Sequence, residues 1–85
     1  MTMSKVYYAV YDIKAEVYSA PFLEIKDGTA IRAIQDLVIN NKEHVFAKHP
    51  SDFTLHRLGE FDENTGVITG QTKPTQIYQI ETLGD

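Results

Sequence analysis

Pro50 constrains this chain more than any other residue, because of what stands on either side of it. It fixes its own backbone and biases His49 away from helix, so whatever precedes it must end there. From Phe53 to Phe61 the residues then alternate as a strand does. Phe53, Leu55, Arg57, Gly59 and Phe61 fall on one side, and Thr54, His56, Leu58 and Glu60 on the other. Neither side is purely apolar. Asp62-Glu63-Asn64-Thr65-Gly66 supplies residues that tolerate the positive backbone angles of a reversal, and Val67-Ile68-Thr69 resumes β-favouring residues. Residues 53 to 69 are therefore expected to form a β-hairpin.

Upstream, Lys5-Val6-Tyr7-Tyr8-Ala9-Val10-Tyr11 is dense in β-branched and aromatic residues and reads as the first strand. Val6, Tyr8 and Val10 form its more aliphatic side; Tyr7, Ala9 and Tyr11 form a side with two phenols and a gap. Asp12-Ile13-Lys14-Ala15-Glu16 interrupts it, and Val17-Tyr18-Ser19-Ala20 is expected to return antiparallel, with Pro21 ending that strand or marking it as an edge. Ala30, Ile31, Ile34, Leu37 and Val38 then recur at three and four residue steps, which predicts an amphipathic helix from about residue 28 to about residue 40. Asp27 is expected to cap it and Asn40-Asn41 to end it. Residues 42 to 48 have room for one more short turn of helix before Pro50. Beyond the hairpin, Gly70-Gln71-Thr72-Lys73-Pro74-Thr75 reads as a polar connector. Gln76-Ile77-Tyr78-Gln79-Ile80 is open between a fifth strand, a docked tail and a partner-binding arm. The expected fold is α+β: a small antiparallel sheet of four or five strands in ββαββ order with one helix packed on one face.

A chain of 85 residues, 42% hydrophobic, suits one domain over 1–85, with the tail from about residue 70 extended or docked on a partner. So short a chain leaves much of its surface exposed, and self-association would cover some of it. There is no cysteine, which excludes a disulfide framework or a thiolate metal site. No apolar run reaches membrane-spanning length and no signal-peptide core follows Met1-Thr2-Met3-Ser4-Lys5, so a cytosolic protein without membrane contact is expected. The formal charge of −4 is uneven: residues 58 to 85 carry one basic and five acidic side chains, among them Glu81 and Asp85, while residues 42 to 57 carry three basic and two acidic. The uniformly basic surface of a phosphate binder is absent, so any nucleic-acid contact must be local.

Two constellations are candidates for that contact. Tyr7 and Tyr11 share one strand face, and if the helix covers the other, bases of a single strand can stack on them for roughly 1 to 3 kcal/mol each. The same open aromatic face equally suits a dimer interface, where a tyrosine ring is buried while its hydroxyl stays wet. The second is the cluster Lys42, His44, Lys48, His49, His56 and Arg57, the one stretch with a local basic excess; a solvated polar surface is its ordinary alternative, with Glu43 and Asp52 in the same stretch. Arg57 is the strongest single candidate, since a guanidinium can grip a phosphate twice or lie flat on a base. The nucleic-acid site is thus expected at Tyr7, Tyr11, Arg57, His56 and Lys48. The histidine spacing matches no helical zinc pattern and Pro50 divides it, so no metal or cofactor is expected. Glu60, Asp62 and Glu63 sit at a strand end and turn where carboxylates are ordinary. With no nucleophile–base pair, phosphate loop or dinucleotide fingerprint, an enzyme is not expected.

Tyr8-Ala9-Val10-Tyr11-Asp12, Pro21-Phe22, Asp27-Gly28-Thr29-Ala30-Ile31-Arg32 and, above all, His49-Pro50-Ser51-Asp52-Phe53 running into Leu58-Gly59-Glu60-Phe61-Asp62 and Thr65-Gly66 carry a further signal. Through these phrases, up to about Ile68, the chain resembles the small nonstructural protein of gokushoviruses, single-stranded-DNA microviruses that infect bacteria. The resemblance implies a phage protein of the host bacterial cytoplasm, absent from the mature virion and DNA-binding, with a part in single-stranded genome synthesis or packaging. It carries over no catalytic residue. The expected function is therefore that of a non-enzymatic single-stranded-DNA-binding accessory protein acting as a homo-oligomer. The alternative is an interaction factor that engages a viral replication or assembly protein, or a host protein, without touching nucleic acid.

Overall fold

The computed structural model describes residues 4–81. In chain order its elements are β1 (Ser4–Asp12), β2 (Val17–Tyr18), β3 (Phe22–Glu24), α1 (Asp27–Asn40), α2 (Val45–Lys48), a 3₁₀ turn at Pro50–Asp52, β4 (Phe53–Asp62) and β5 (Ile68–Gln79). The strands form one antiparallel sheet in the order β2-β1-β4-β5. Because β4 pairs with β1 from Ser4 to Asp12, β2 and β3 share the other edge of β1. The fold is α+β, a small antiparallel sheet with one main helix. The short helix suggested before Pro50 is α2.

Both hairpin reversals are built the same way. Asp12 Oδ1 accepts from the amides of Lys14 and Ala15, both at 3.0 Å, and Asp62 Oδ1 accepts from those of Asn64 at 2.8 Å and Thr65 at 3.3 Å. A carboxylate at the start of a turn thus holds amides that the strands cannot. Each loop ends on a left-handed residue, Glu16 at φ 57° and Gly66 at φ 79°.

The returning strand differs from its expected span of 17 to 20. Tyr11 pairs with Tyr18 but Tyr8 pairs with Phe22, so one extra residue is accommodated in Ser19-Ala20-Pro21. Pro21 has no amide to donate. Ser19 repairs the break: its amide donates to Val10 O at 2.8 Å and its hydroxyl accepts from Val10 N at 2.9 Å. The chain then rejoins the ladder as β3.

Helix α1 begins at Asp27, so Asp27 is its first helical residue and not its cap; the extended Lys26 holds that place. Thr29 Oγ1 accepts from Lys26 N at 3.2 Å and donates to Lys26 O at 2.8 Å, a local ring that closes the first turn. At the other end the Asn41 amide donates to Leu37 O at 3.0 Å and its side chain does so at 3.1 Å. Ala30, Ile34 and Val38 are buried against Tyr8, Val10, Phe53, Leu55 and Ile80, with Ile31 packed at the margin and Leu37 half-buried. Each large aliphatic side chain so enclosed contributes roughly 1.5–3 kcal/mol. Phe46 of α2 packs on Phe53, ring centroids 4.8 Å apart.

Two irregularities in β4 and β5 revise the expected faces. Tyr8 pairs with Arg57 while Tyr7 pairs with Gly59, so Leu58 is an inserted bulge residue. Phe53, Leu55 and Arg57 face the helices, but beyond the bulge Gly59 and Phe61 turn to the other side. The second revision concerns residues 70 to 75, which are part of a strand and not a free connector. Ile68, Thr69 and Gly70 pair with Phe61, Glu60 and Gly59, and Thr75, Gln76, Tyr78 and Gln79 pair with Arg57, His56, Leu55 and Thr54, Ile77 being a second inserted residue, so one strand runs along β4 with residues 71 to 74 bowed out between. Ile80, just past its end, is buried in the core.

Candidate functional site

Since the helices cover the Tyr8, Val10, Phe53 and Leu55 side, the opposite face of the sheet is the broad surface on which the chain can meet a ligand. The register reads out its rows. One row crosses the strands as Tyr18, Tyr11, Thr54 and Gln79, the next holds Ala9, His56 and Gln76, and a third holds Leu23, Tyr7, Gly59 and Gly70. Lys5, Phe61 and Ile68 close the face toward the tip of the β4–β5 hairpin.

Three rings cluster at one end. Tyr11 and Tyr18 lie 4.6 Å apart by ring centroid, and His56 stands edge-on to both, at 5.9 and 5.4 Å. Ala9 and Thr54 are buried in the same two rows, which leaves the rings as the relief of this surface. Thr54 Oγ1 and His56 Nε2 share a hydrogen bond of 2.8 Å, and Nδ1 is buried with no partner among the described residues. Burial accordingly lowers the pKa of His56 below the ordinary imidazole value, keeping the ring neutral. Tyr18 remains 40% exposed, enough for a planar group to reach it.

The five residues expected to form the site do not all meet. Tyr11 and His56 are in ring contact, and Tyr7 lies four residues from Tyr11 along β1 on the same face, edge-on to Phe61 at 6.3 Å. Arg57 lies on the opposite, helix-bearing face. Its Nη1 donates to Asp27 Oδ2 and its Nε donates to Gln71 Oε1 at 3.0 Å. Lys48 is on α2, paired with Glu43 at 3.4 Å. His44 is occupied in capping α2, its Nδ1 accepting from Phe46 N at 3.0 Å. Tyr18 was absent from the expected set, although the Asp12–Glu16 reversal puts it opposite Tyr11 once the hairpin closes.

Asp27 is a hub that the sequence did not announce. Besides Arg57 it accepts from the hydroxyl of fully buried Tyr8 at 2.6 Å. The Tyr8 bond holds the Asp27 carboxyl below its usual range, burial opposes this, and Arg57 lowers it further. The same contact works in reverse on Tyr8, whose phenol is pushed upward by burial first and then by its bond to Asp27. The hub ties the start of α1 to β1 and β4.

Among the described residues no group of three or more His, Cys, Asp or Glu side chains is arranged to hold a metal ion, and no helix is long and apolar enough to cross a membrane. What remains is a small α+β scaffold that presents a helix-free, aromatic sheet face. By comparison with protein families, residues 5–83 match the phage ORF5 protein, and the chain belongs to that family of bacteriophage proteins. Neither the curated proteins nor the solved structures contain a match to it.

Proposed function

We propose that the chain is a non-enzymatic accessory protein of a bacterial virus that binds single-stranded DNA through the Tyr11, Tyr18 and His56 end of its open face, in the service of genome synthesis or packaging. The observation that carries this reading is the three-ring cluster on a face without helix cover, where successive bases find π-surfaces regardless of sequence. The membership in a phage family and the resemblance to gokushovirus nonstructural proteins support it. The site works by stacking more than by charge, since Arg57 and Lys48 are engaged by Asp27 and Glu43. Binding is therefore modest, with a shallow salt dependence.

That engagement of the cations favours one second reading, in which the face receives a viral or host protein instead of a nucleic acid. A fluorescence titration with a labelled oligonucleotide at two salt concentrations separates them. Binding that weakens with Tyr11→Ala and Tyr18→Ala, while melting stays as in the parent, supports stacking. Absence of binding at low salt overturns it in favour of the protein partner.

A further inference from the structure

The other end of the open face has a different character. Gly59 and Gly70 pair across β4 and β5; Gly59 is buried against the β5 backbone, while Gly70 leaves open space where a side chain would stand. Around this notch Tyr7, Pro21, Leu58, Ile68 and Thr69 line an open, almost wholly apolar groove of about 390 Å³. Beside it stand projecting apolar side chains, Ile68 at 63% exposure and Leu23 at 39%. The single cation in these rows, Lys5, is spent on Glu63 at 3.4 Å. On the reverse side of the same strands the register aligns Glu24, Val6, Glu60 and Thr69, so the two sides differ sharply in charge.

This end extends past the start of α1, and among the described residues no helix covers its open side. Glu24, Glu60 and Asp62 register on the reverse side and Glu63 is paired with Lys5, so the patch itself is without net charge and offers a polyanion no free cation. Two such patches can meet without direct like-charge contact, although the chain as a whole carries −4. The patch is also self-complementary, with a knob (Ile68) and a hole (the Gly59–Gly70 notch) one row apart. A twofold axis between them sets each knob in the other copy's hole, which is what an isologous contact requires.

We propose that this patch closes a twofold dimer of the chain, in which Ile68 of each copy enters the Gly59–Gly70 notch of the other. Tyr11, Tyr18 and His56 lie outside the patch, so each subunit keeps its ring cluster. The dimer does not rest on DNA binding, and the two are read by separate assays. A patch covering only part of the sheet falls at the low end of interface sizes, so dimerisation depends on concentration.

Sedimentation equilibrium from micromolar to millimolar protein tests this. The parent is expected to move from the 9.6 kDa monomer toward twice that mass. Gly70→Glu adds a side chain whose Cβ meets nothing within 4 Å in its own chain. Together with Ile68→Glu at an exposed position, it should keep the parent's circular dichroism while dimerising roughly tenfold or more weakly, because it sets like charges against each other. Val45→Glu, exposed on α2 on the far side, should dimerise as the parent does. A parent that stays monomeric throughout, leaving the notch to a different protein or a base, overturns the proposal. So does a Gly70→Glu or Ile68→Glu protein that dimerises like the parent.

Discussion

Replacing Asp27 by alanine removes one carboxylate and disturbs three elements at once. The largest loss is at Tyr8, a residue with 0% exposure whose hydroxyl donates to Asp27 at 2.6 Å. A buried donor left without its acceptor costs about 1–3 kcal/mol. The ion pair with Arg57 adds about 0–1 kcal/mol, because both side chains are more than a third exposed, at 36% and 39%, and water screens them. Loss of the acid from the first turn of α1 adds about 0.3–1 kcal/mol. Asp27→Ala should therefore destabilise by about 2–4 kcal/mol, a fall in Tm of about 10–25 °C for a domain of this size. Urea denaturation of Asp27→Ala, Tyr8→Phe and the double variant isolates the shared bond as a coupling of about 1–2 kcal/mol. pH supplies a second signature. The Asp27 carboxyl titrates below its ordinary 3.8, so its contribution is complete above that pH and is lost as pH falls through the lower folded value. The Tyr8 phenol titrates above its ordinary 10, so its contribution is complete below that pH and is lost as pH rises toward the higher folded value. An unchanged Asp27→Ala midpoint, or strictly additive single effects, would refute this account of the hub.

Gly59→Ala should cost about 1–3 kcal/mol, because its Cβ meets the Thr69 carbonyl oxygen and comes within 2.9 Å of Gly70 Cα, both backbone that can yield only by parting β4 from β5; Gly70→Ala, across the same pair, should be close to neutral in the same urea titration. Equal effects at the two glycines would contradict the close approach. His56, depressed by burial, contributes stability that is complete above pH 6.5 and is lost as pH falls through its lower folded value, so the urea midpoint should decline from neutral pH toward about pH 5 and do so less in His56→Gln. Glu16→Gly should raise Tm by a few degrees, since relief of left-handed strain, about 1–2 kcal/mol, exceeds the added unfolded-state entropy of glycine, about 0.5–1 kcal/mol; a lower Tm by calorimetry would reverse that balance.

Local chemistry made several elements readable in advance. Pro50 stops what precedes it and β4 starts within three residues; Asp62 to Gly66 turn the chain; the spacing of Ala30, Ile34 and Val38 sets the buried stripe of α1; and the alternation in β1 separates Tyr8 and Val10 from Tyr7 and Tyr11. Each depends on residues a few positions apart, where periodicity and backbone preference act directly. The ring contact of Tyr11 with His56 was not readable in this way, because it depends on β1 and β4 being neighbours in the sheet.

Tertiary structure decided what depends on distant partners. Nothing in Arg57-Leu58-Gly59 declares that Leu58 is an inserted residue; that follows from β1 and β5 both pairing with β4, and it moves Gly59 and Phe61 to the open face while Arg57 stays beneath the helix. Residues 70 to 75 look like a connector because their composition is polar, yet Arg57 and Gly59 supply pairing partners on both sides of the bowed segment. Asp27 has the chemistry of a helix cap, and it becomes the hub of Tyr8 and Arg57 only because β1 and β4 carry those side chains to the start of α1. A one-residue change of register turns every later side chain to the other face, and register is set by the neighbouring strand, not by the strand's own residues.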